Sequence, residues 1–293
     1  MHILVIGCGS IGKRHARILA AMGHEVGVLS SQVVSGYQHF TSLSAALSAL
    51  APHYIVIASA TDRHQADMAA LQHAGFRGIA LVEKSLFTNA PPQKEVYSFT
   101  IYVAYNLRFH PVISALQQHL EGQNTLSAVA YVGQHLAQWR PDRTVKETYS
   151  AHKIQGGGVV RDLSHELDLA QYLFGALRWK SSMAARVADI THDSEDVASI
   201  LLNSTRCPHI NIHMNYLDHT AARWWRVMTE QHSYHADMIA GTLCIDGMVH
   251  PIACNPDTSY RAMHEAALGG NAASVCSYEQ GLAIMDIIAK VAP

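Results

Sequence analysis

Residues 2–12 read His2-Ile3-Leu4-Val5-Ile6-Gly7-Cys8-Gly9-Ser10-Ile11-Gly12. The unbroken aliphatic run 3–6 predicts a strand buried on both faces. It feeds directly into Gly-x-Gly-x-x-Gly. Beyond the last glycine, Ile11, Ile18, Leu19 and Met22 are spaced to share one face of a helix. Strand, glycine turn and helix in that order are the setting that a dinucleotide fingerprint requires. Gly7 permits the tight turn, Gly9 lets the backbone approach a pyrophosphate, and Gly12 lets the helix pack closely on the strand. The first N–H groups of the helix, around Ser10 and Ile11, then offer an anion both hydrogen bonds and a positive helix end.

The pattern after the fingerprint extends this reading. Residues 25–29 predict a second strand, 41–50 a short helix, and 54–58 another buried strand. Residues 64–73 predict a helix that Asp62 is placed to cap and Gly75 ends. Strands at 79–82 and 101–104 follow, with a helix expected over 91–98 between them. Strands alternating with helices imply a doubly wound parallel sheet, a Rossmann domain over 1–105. A fingerprint specific for NAD places an acid at the end of its second strand to hold the ribose 2′-hydroxyl. Here that end is Ser30-Ser31-Gln32, and no acidic residue stands between Glu25 and Asp62. Hydroxyls without a carboxylate, and Lys13 and Arg14 just past the glycines, favour NADP over NAD.

The pattern changes after Tyr105. A helix over 106–120, interrupted by Pro111, leads into strand-like runs at 125–134, 182–190, 197–202, 208–216 and 224–229. Successive strands without helices between them imply a largely antiparallel sheet in an α+β domain covering 106–293, closed by a helix at about 278–291. Alternating apolar residues such as Ile200, Leu202, Ile210 and Ile212 suggest a sheet face that joins copies of the chain into a dimer or tetramer. Residues 134–155, with Trp139, Arg140 and Arg143, form the one long loop-like stretch, a pattern common in binding loops.

Composition narrows the functional classes. Of the 293 residues, 49 % are hydrophobic and 15 % charged, with a formal net charge of −2. A near-neutral chain with scattered basic residues does not suit nucleic acid as main partner. No apolar run approaches the ~20 residues that span a bilayer, and the N-terminal run is too short for a signal peptide. Five dispersed cysteines without a C-x-x-C fit free thiols in a reducing cytoplasm. The 20 histidines are spread singly, with no metal-ligand spacing, so no metal is expected.

Ligands of an open α/β sheet bind outside the carboxyl ends of its strands. Three such ends carry chemistry: the glycine turn; Ser59 to Thr61, followed by His64; and Glu83-Lys84. A lysine directly after a buried strand lies over the cofactor site rather than on a solvated helix face. The second loaded segment is 156–168, Gly-Gly-Gly-Val-Val-Arg-Asp-Leu-Ser-His-Glu-Leu-Asp. On one helix, Asp162, His165 and Asp168 would form a polar ridge opposite Leu163, Leu167 and Ala170. A histidine beside a carboxylate is a candidate general acid/base. A capped helix start with a solvated Asp/His face reads as well from these residues alone.

The N-terminal fingerprint, IVIASATDRHQADMAALQHAG at 55–75, LVEKSL at 81–86, YNLRFHP at 105–111 and GGGVVRDLSHELDLAQYLFG at 156–175 occur in this order. Together they resemble the glucose–fructose oxidoreductase/inositol dehydrogenase (Gfo/Idh/MocA) family. The resemblance implies a nucleotide-binding domain followed by an open-faced α/β domain, and oxidation or reduction of a sugar or cyclitol hydroxyl with NAD(P). It implies that Lys84, from the family's Glu-Lys-Pro motif, and the pair Asp162 and His165 line the site beside the nicotinamide. Asn106 and Arg108 begin the second domain close to cofactor and substrate. Ser85 stands where the family has proline, and the Asp162–His165 spacing is one residue shorter. His165 would carry the hydroxyl proton, and Lys84 would polarise the oxygen. The substrate carbon would belong to a sugar, sugar acid, cyclitol or nucleotide-sugar. Arg108, Arg140, Arg143, Lys153 and Arg161 would bring positive charge to the cleft mouth, with Trp139 stacking on a ring, which suits an acidic sugar, a sugar phosphate or a nucleotide-sugar; solvated loop arginines read as well from these residues alone. The alternative is a non-catalytic dinucleotide-binding sensor or regulatory protein of the same fold.

Overall fold

The structure, a computed structural model, describes residues 1–89, 94–139, 144–269 and 271–292, with the side chains of Trp139, Lys146 and Ala272 left out. The chain divides into two compact units. One comprises Met1–Asn106 and Asp257–Leu282, the other Leu107–Pro256 and Ala283–Pro293.

In the first unit, β1 (His2–Ile6), β2 (Glu25–Leu29), β3 (Gln38–Phe40), β4 (Tyr54–Ile57), β5 (Ile79–Val82) and β6 (Thr100–Val103) pair in parallel in the order β3-β2-β1-β4-β5-β6. Helices α1 (Ser10–Ala21), α2 (Leu43–Leu50) and α3 (His64–His73) fill the crossovers. Ile3, Leu4 and Val5, all of β4, and Ala80 to Val82 are fully buried, because helices on both faces leave these strands no solvent side. The end of β2 and the whole of α3 lie where the sequence pattern puts them.

The crossover into β6 differs from expectation. Residues 94–98 of the expected 91–98 helix are not helical, and 90–93 lie outside the described residues. Side chains compete for the backbone there: the Ser98 N–H donates to Gln72 Oε1 at 2.9 Å, and Tyr97 packs edge-on against Tyr278. Asp62 does not cap α3 either. It sits within a 3₁₀ turn, Thr61–Arg63, and α3 begins without a side-chain cap.

In the second unit, α4 (Pro111–Leu120) precedes β7 (Thr125–Gly133). Then come α5 (Leu136–Trp139), α6 (Val159–Asp162), α7 (His165–Phe174), β8 (Arg178–Ala185), β9 (Val197–Asn203), β10 (Ile210–Asn215), β11 (Ala222–Thr229), β12 (Ser233–Asp237), β13 (Thr242–Ile245) and β14 (Met248–Pro251). The sheet order is β14-β13-β12-β11-β7-β10-β9-β8, antiparallel throughout except between β7 and β10. β8 stops well before residue 190, because the Asp196 carboxylate takes the N–H groups of Val187 and Ala188, both at 2.8 Å.

Helices α4, α6 and α7 cover one face of this sheet. Ile200, Leu202, Ile210 and Ile212 lie on that covered face and are at most 1 % exposed. They are core residues of their own unit, not the joining surface the alternation suggested. The other face carries rings: Tyr131 stacks on Trp224 at 5.4 Å and on His213 at 5.2 Å.

The chain then returns to the first unit, where the sequence pattern put everything after 105 in the second. Helix α8 (Thr258–Gly269) packs against α1, and β15 (Cys276–Ser277) pairs antiparallel with β6. No apolar stripe announces α8, since its buried residues are Ser259, Met263, His264, Ala266 and Ala267. It is held by polar contacts: Arg14 and Arg17 donate to Asp257 at 3.0 and 2.7 Å, and the Arg14 guanidinium lies 4.2 Å from the Tyr260 ring centre. The last helix, α9 (Tyr278–Val291), has the ends the sequence predicts.

Candidate functional site

Strands β5, β4 and β1 are neighbours and parallel, so the turns that follow them leave one edge of the sheet. The direction of winding reverses between β1 and β4, the place where open sheets hold ligands. The glycine turn there has the three properties its spacing predicts. Gly7 has φ +94°, and a Cβ on it would stand 2.5 Å from the Ala58 carbonyl oxygen. A Cβ on Gly12 would stand 2.2 Å from the Gly7 carbonyl oxygen. Gly9, the N-cap of α1, has φ −67° and nothing within 4 Å of a Cβ. Nothing in the chain itself therefore calls for glycine at position 9. The first turn of α1, with Ser10 exposed and Ile11 half-buried, contains no acidic residue. The turn fits a dinucleotide pyrophosphate.

The flanking candidates fall into two groups. Ser30, Ser31, Ser59, Thr61 and Lys84 are at least partly exposed. Ser30 Oγ accepts the Gln32 N–H at 3.0 Å, and Ser59 Oγ donates to Asp67 at 2.6 Å. His64, Glu83 and Asn106 are instead buried. The His64 ring lies between the carbonyls of Leu86 (3.1 Å) and Ser59 (3.2 Å). It braces two strand-end turns and offers no surface to a cofactor. Asn106 donates to Ser259 at 2.8 Å. Glu83 accepts from His15 Nε2 at 2.8 Å and from the Lys84 N–H at 3.1 Å. The Lys84–Ser85 peptide is cis. Arg14, read as a phosphate partner, is engaged by Asp257 instead.

In the second unit the segment 156–175 is not one helix. It breaks at Leu163-Ser164, so Asp162 ends α6 and His165 opens α7. The expected ridge of Asp162, His165 and Asp168 is therefore divided. Asp162, 3 % exposed, accepts from Tyr149 (2.9 Å) and Tyr216 (2.7 Å). Burial, and then the Asp162 charge, push the Tyr216 hydroxyl well above its ordinary range, so it remains a donor. Neither tyrosine carries a local sequence signal for this role. His165 is half-buried, with the Nδ1 side of its ring turned into the protein.

The cations expected around a substrate are largely used internally. Arg108 grips Asp168 with Nε and Nη2, at 2.9 and 2.6 Å, where it was expected to meet substrate. Arg161 is buried beside Glu195. Lys153 is exposed. Arg140, Arg143 and the Trp139 side chain lie outside the described residues. Among the described residues, no group of three or more His, Cys, Asp or Glu could hold a metal ion, and no helix is long and apolar enough to cross a membrane.

No protein-family model matches the chain. No curated protein matches it at the level of sequence. Solved structures do. UDP-N-acetylglucosamine 3-dehydrogenase GnnA from Acidithiobacillus ferrooxidans matches with TM-score 0.78 at 20 % identity, over 100 % of this chain and 96 % of that one. Levoglucosan dehydrogenase, in complex with NADH and L-sorbose, matches with TM-score 0.81 at 15 % identity, over 99 % and 95 %. A protein of gentamicin A biosynthesis, in complex with NAD, matches with TM-score 0.78 at 18 % identity, over 99 % and 93 %. The chain thus has the α/β fold that these proteins share, with a mostly parallel Rossmann-like sheet and a mostly antiparallel second sheet.

Proposed function

We propose that the chain is an NAD(P)-dependent oxidoreductase that moves a hydride between nicotinamide and the carbon of a sugar or cyclitol hydroxyl. Gly9 carries this reading: a glycine that the fold does not need, at the N-terminus of α1, beside the point where the sheet reverses its winding. The backbone of Gly7 to Gly12, with the N–H groups of Ser10 and Ile11, would hold the pyrophosphate. Ser30 and Ser31 would meet the adenosine ribose, and the missing carboxylate supports NADP(H), although levoglucosan dehydrogenase carries NADH and the gentamicin A biosynthesis protein carries NAD. When bound, the nicotinamide accepts or supplies the hydride.

The remaining steps belong to side chains. Lys84 would hold the reacting oxygen and draw negative charge onto it. His165, with its Nδ1 side buried, would take or return the hydroxyl proton at Nε2. Asp162, fixed by two phenols, would hold substrate beside it. Such proton handling contributes about 10²–10⁴-fold to rate. With Arg108 and Arg161 turned inward, an uncharged sugar or cyclitol hydroxyl suits the site better than an acidic sugar. The uncovered face of the second sheet, with Tyr131, Trp224 and His213, is the surface through which copies would pair. Light scattering at micromolar concentration checks that.

Titration with NADPH and NADH, followed by nicotinamide absorbance against a panel of sugars, sugar acids, cyclitols and nucleotide-sugars, tests the activity. Turnover of a panel member supports it. Cofactor binding with no turnover across the panel would favour the sensor reading, and no cofactor binding would remove both.

A further inference from the structure

Four buried side chains in the first unit form a single hydrogen-bonded line. Tyr54 OH lies 2.9 Å from His264 Nδ1, His264 Nε2 lies 2.9 Å from His15 Nδ1, and His15 Nε2 lies 2.8 Å from Glu83 Oε1. Tyr54, His264 and His15 are fully buried and Glu83 is 7 % exposed. They come from four elements: β4, α8, α1 and the turn after β5. The other oxygen of Glu83, Oε2, accepts the Lys84 N–H.

The chemistry of the ends orders the protons. An ionised carboxylate only accepts, so His15 donates from Nε2. His15 then accepts at Nδ1 from the Nε2–H of His264, and His264 accepts at Nδ1 from the Tyr54 hydroxyl. The end groups agree with this order. Burial keeps the Tyr54 hydroxyl protonated and holds His264 well below its ordinary range, in the neutral form. The reverse order would make Tyr54 the acceptor and leave its own proton with no acceptor among the described residues, a costly orphan in a dry core. Aligned donors of this kind polarise one another and favour the charge at their end. An apolar quartet would fill the same core without any desolvation cost. It would lack a fixed acceptor for the Lys84 amide.

We propose that Glu83, His15, His264 and Tyr54 are a positioning network that sets the direction in which Lys84 leaves β5. The catalytic consequence rests on the role given to Lys84 above, while the structural part does not. None of the four needs to touch substrate.

The test combines nuclear magnetic resonance with kinetics on the full chain. Ring ¹⁵N–¹H correlations at neutral pH should show His15 and His264 each protonated at Nε2. A proton on Nδ1 of either ring would overturn the network. His15→Leu should speed solvent exchange of the Lys84 amide by about tenfold, the worth of one hydrogen bond. kcat should fall with the cofactor dissociation constant unchanged. His15→Asn, which keeps one donor and one acceptor, should restore most of both. Unchanged Lys84 exchange in a folded His15→Leu protein would sink the proposal. Faster exchange with full kcat would keep the network and remove Lys84 from catalysis. Should His15→Leu fail to fold, Tyr54→Phe decides with the same readouts: it must shift the His264 ring nitrogens and quicken Lys84 exchange, and no change in either overturns the proposal.

Discussion

Arg108 and Asp168 meet as fork and carboxylate inside the second unit, Nη2 2.6 Å from Oδ1 and Nε 2.9 Å from Oδ2, with neither side chain more than 1 % exposed. Such a pair stabilises little over an apolar one, yet removing one partner strands a buried charge. Asp168→Ala is expected to cost about 3–5 kcal/mol in urea unfolding. The double replacement Arg108→Met with Asp168→Leu should recover most of that loss. A double variant as weak as Asp168→Ala would show that the pair does more than cancel its own charges.

Gly9 and Gly12 should separate binding from folding. Gly9→Val adds a side chain in open space, so the melting temperature should stay near that of the parent while NAD(P)H binding disappears. Gly12→Val drives a Cβ to 2.2 Å from the Gly7 carbonyl, so it should unfold the first unit or lower its stability sharply. Thermal melts alongside cofactor titration check both. Retained cofactor affinity in Gly9→Val would move the pyrophosphate elsewhere.

Ser30 and Ser31 predict cofactor choice. NADPH should bind more tightly than NADH, and Ser31→Asp should reverse the order by placing a carboxylate against the 2′-phosphate. A tenfold difference corresponds to about 1.4 kcal/mol and is easily read by fluorescence titration. NADH binding tenfold tighter in the parent chain would end the NADP assignment.

Lys84 and His165 predict a kinetic signature. Lys84→Ala and His165→Ala should each lower kcat by about 10² or more while leaving the NADP(H) dissociation constant nearly unchanged. Because both would act on one transition state, the double variant should be far less than multiplicatively worse. Full turnover by either single variant, once a substrate is found, would place the chemistry on other residues.

The first unit was largely legible because its signals are local. A buried strand shows as an unbroken aliphatic run, and a tight turn shows as glycines at fixed offsets. β2, α3 and β5 accordingly begin and end where the pattern predicts. The three glycine roles follow from backbone geometry within a dozen residues. Edge strands such as β14, exposed along its whole length, carry no apolar alternation and left no such trace. Neither did α8, whose buried face is small and polar.

The site divides along the same line. Lys84, Asp162 and His165 are visible as reactive residue types next to strand and helix ends, and the sequence alone nominates them. What each polar residue does depends on the partner the fold delivers. Tyr216 reaches Asp162 from 54 positions away, Asp168 reaches Arg108 from 60, and His264 reaches His15 from 249. Arg108 looks like a substrate cation in sequence and is a buried counter-ion in the structure. His15 looks like one of many scattered histidines and lies in a buried line ending at Glu83. Local periodicity determines the elements, because hydrogen bonding and burial repeat along the chain. Charge and proton placement are decided only by tertiary structure, because burying a polar group requires a partner, and partners come from distant parts of the chain.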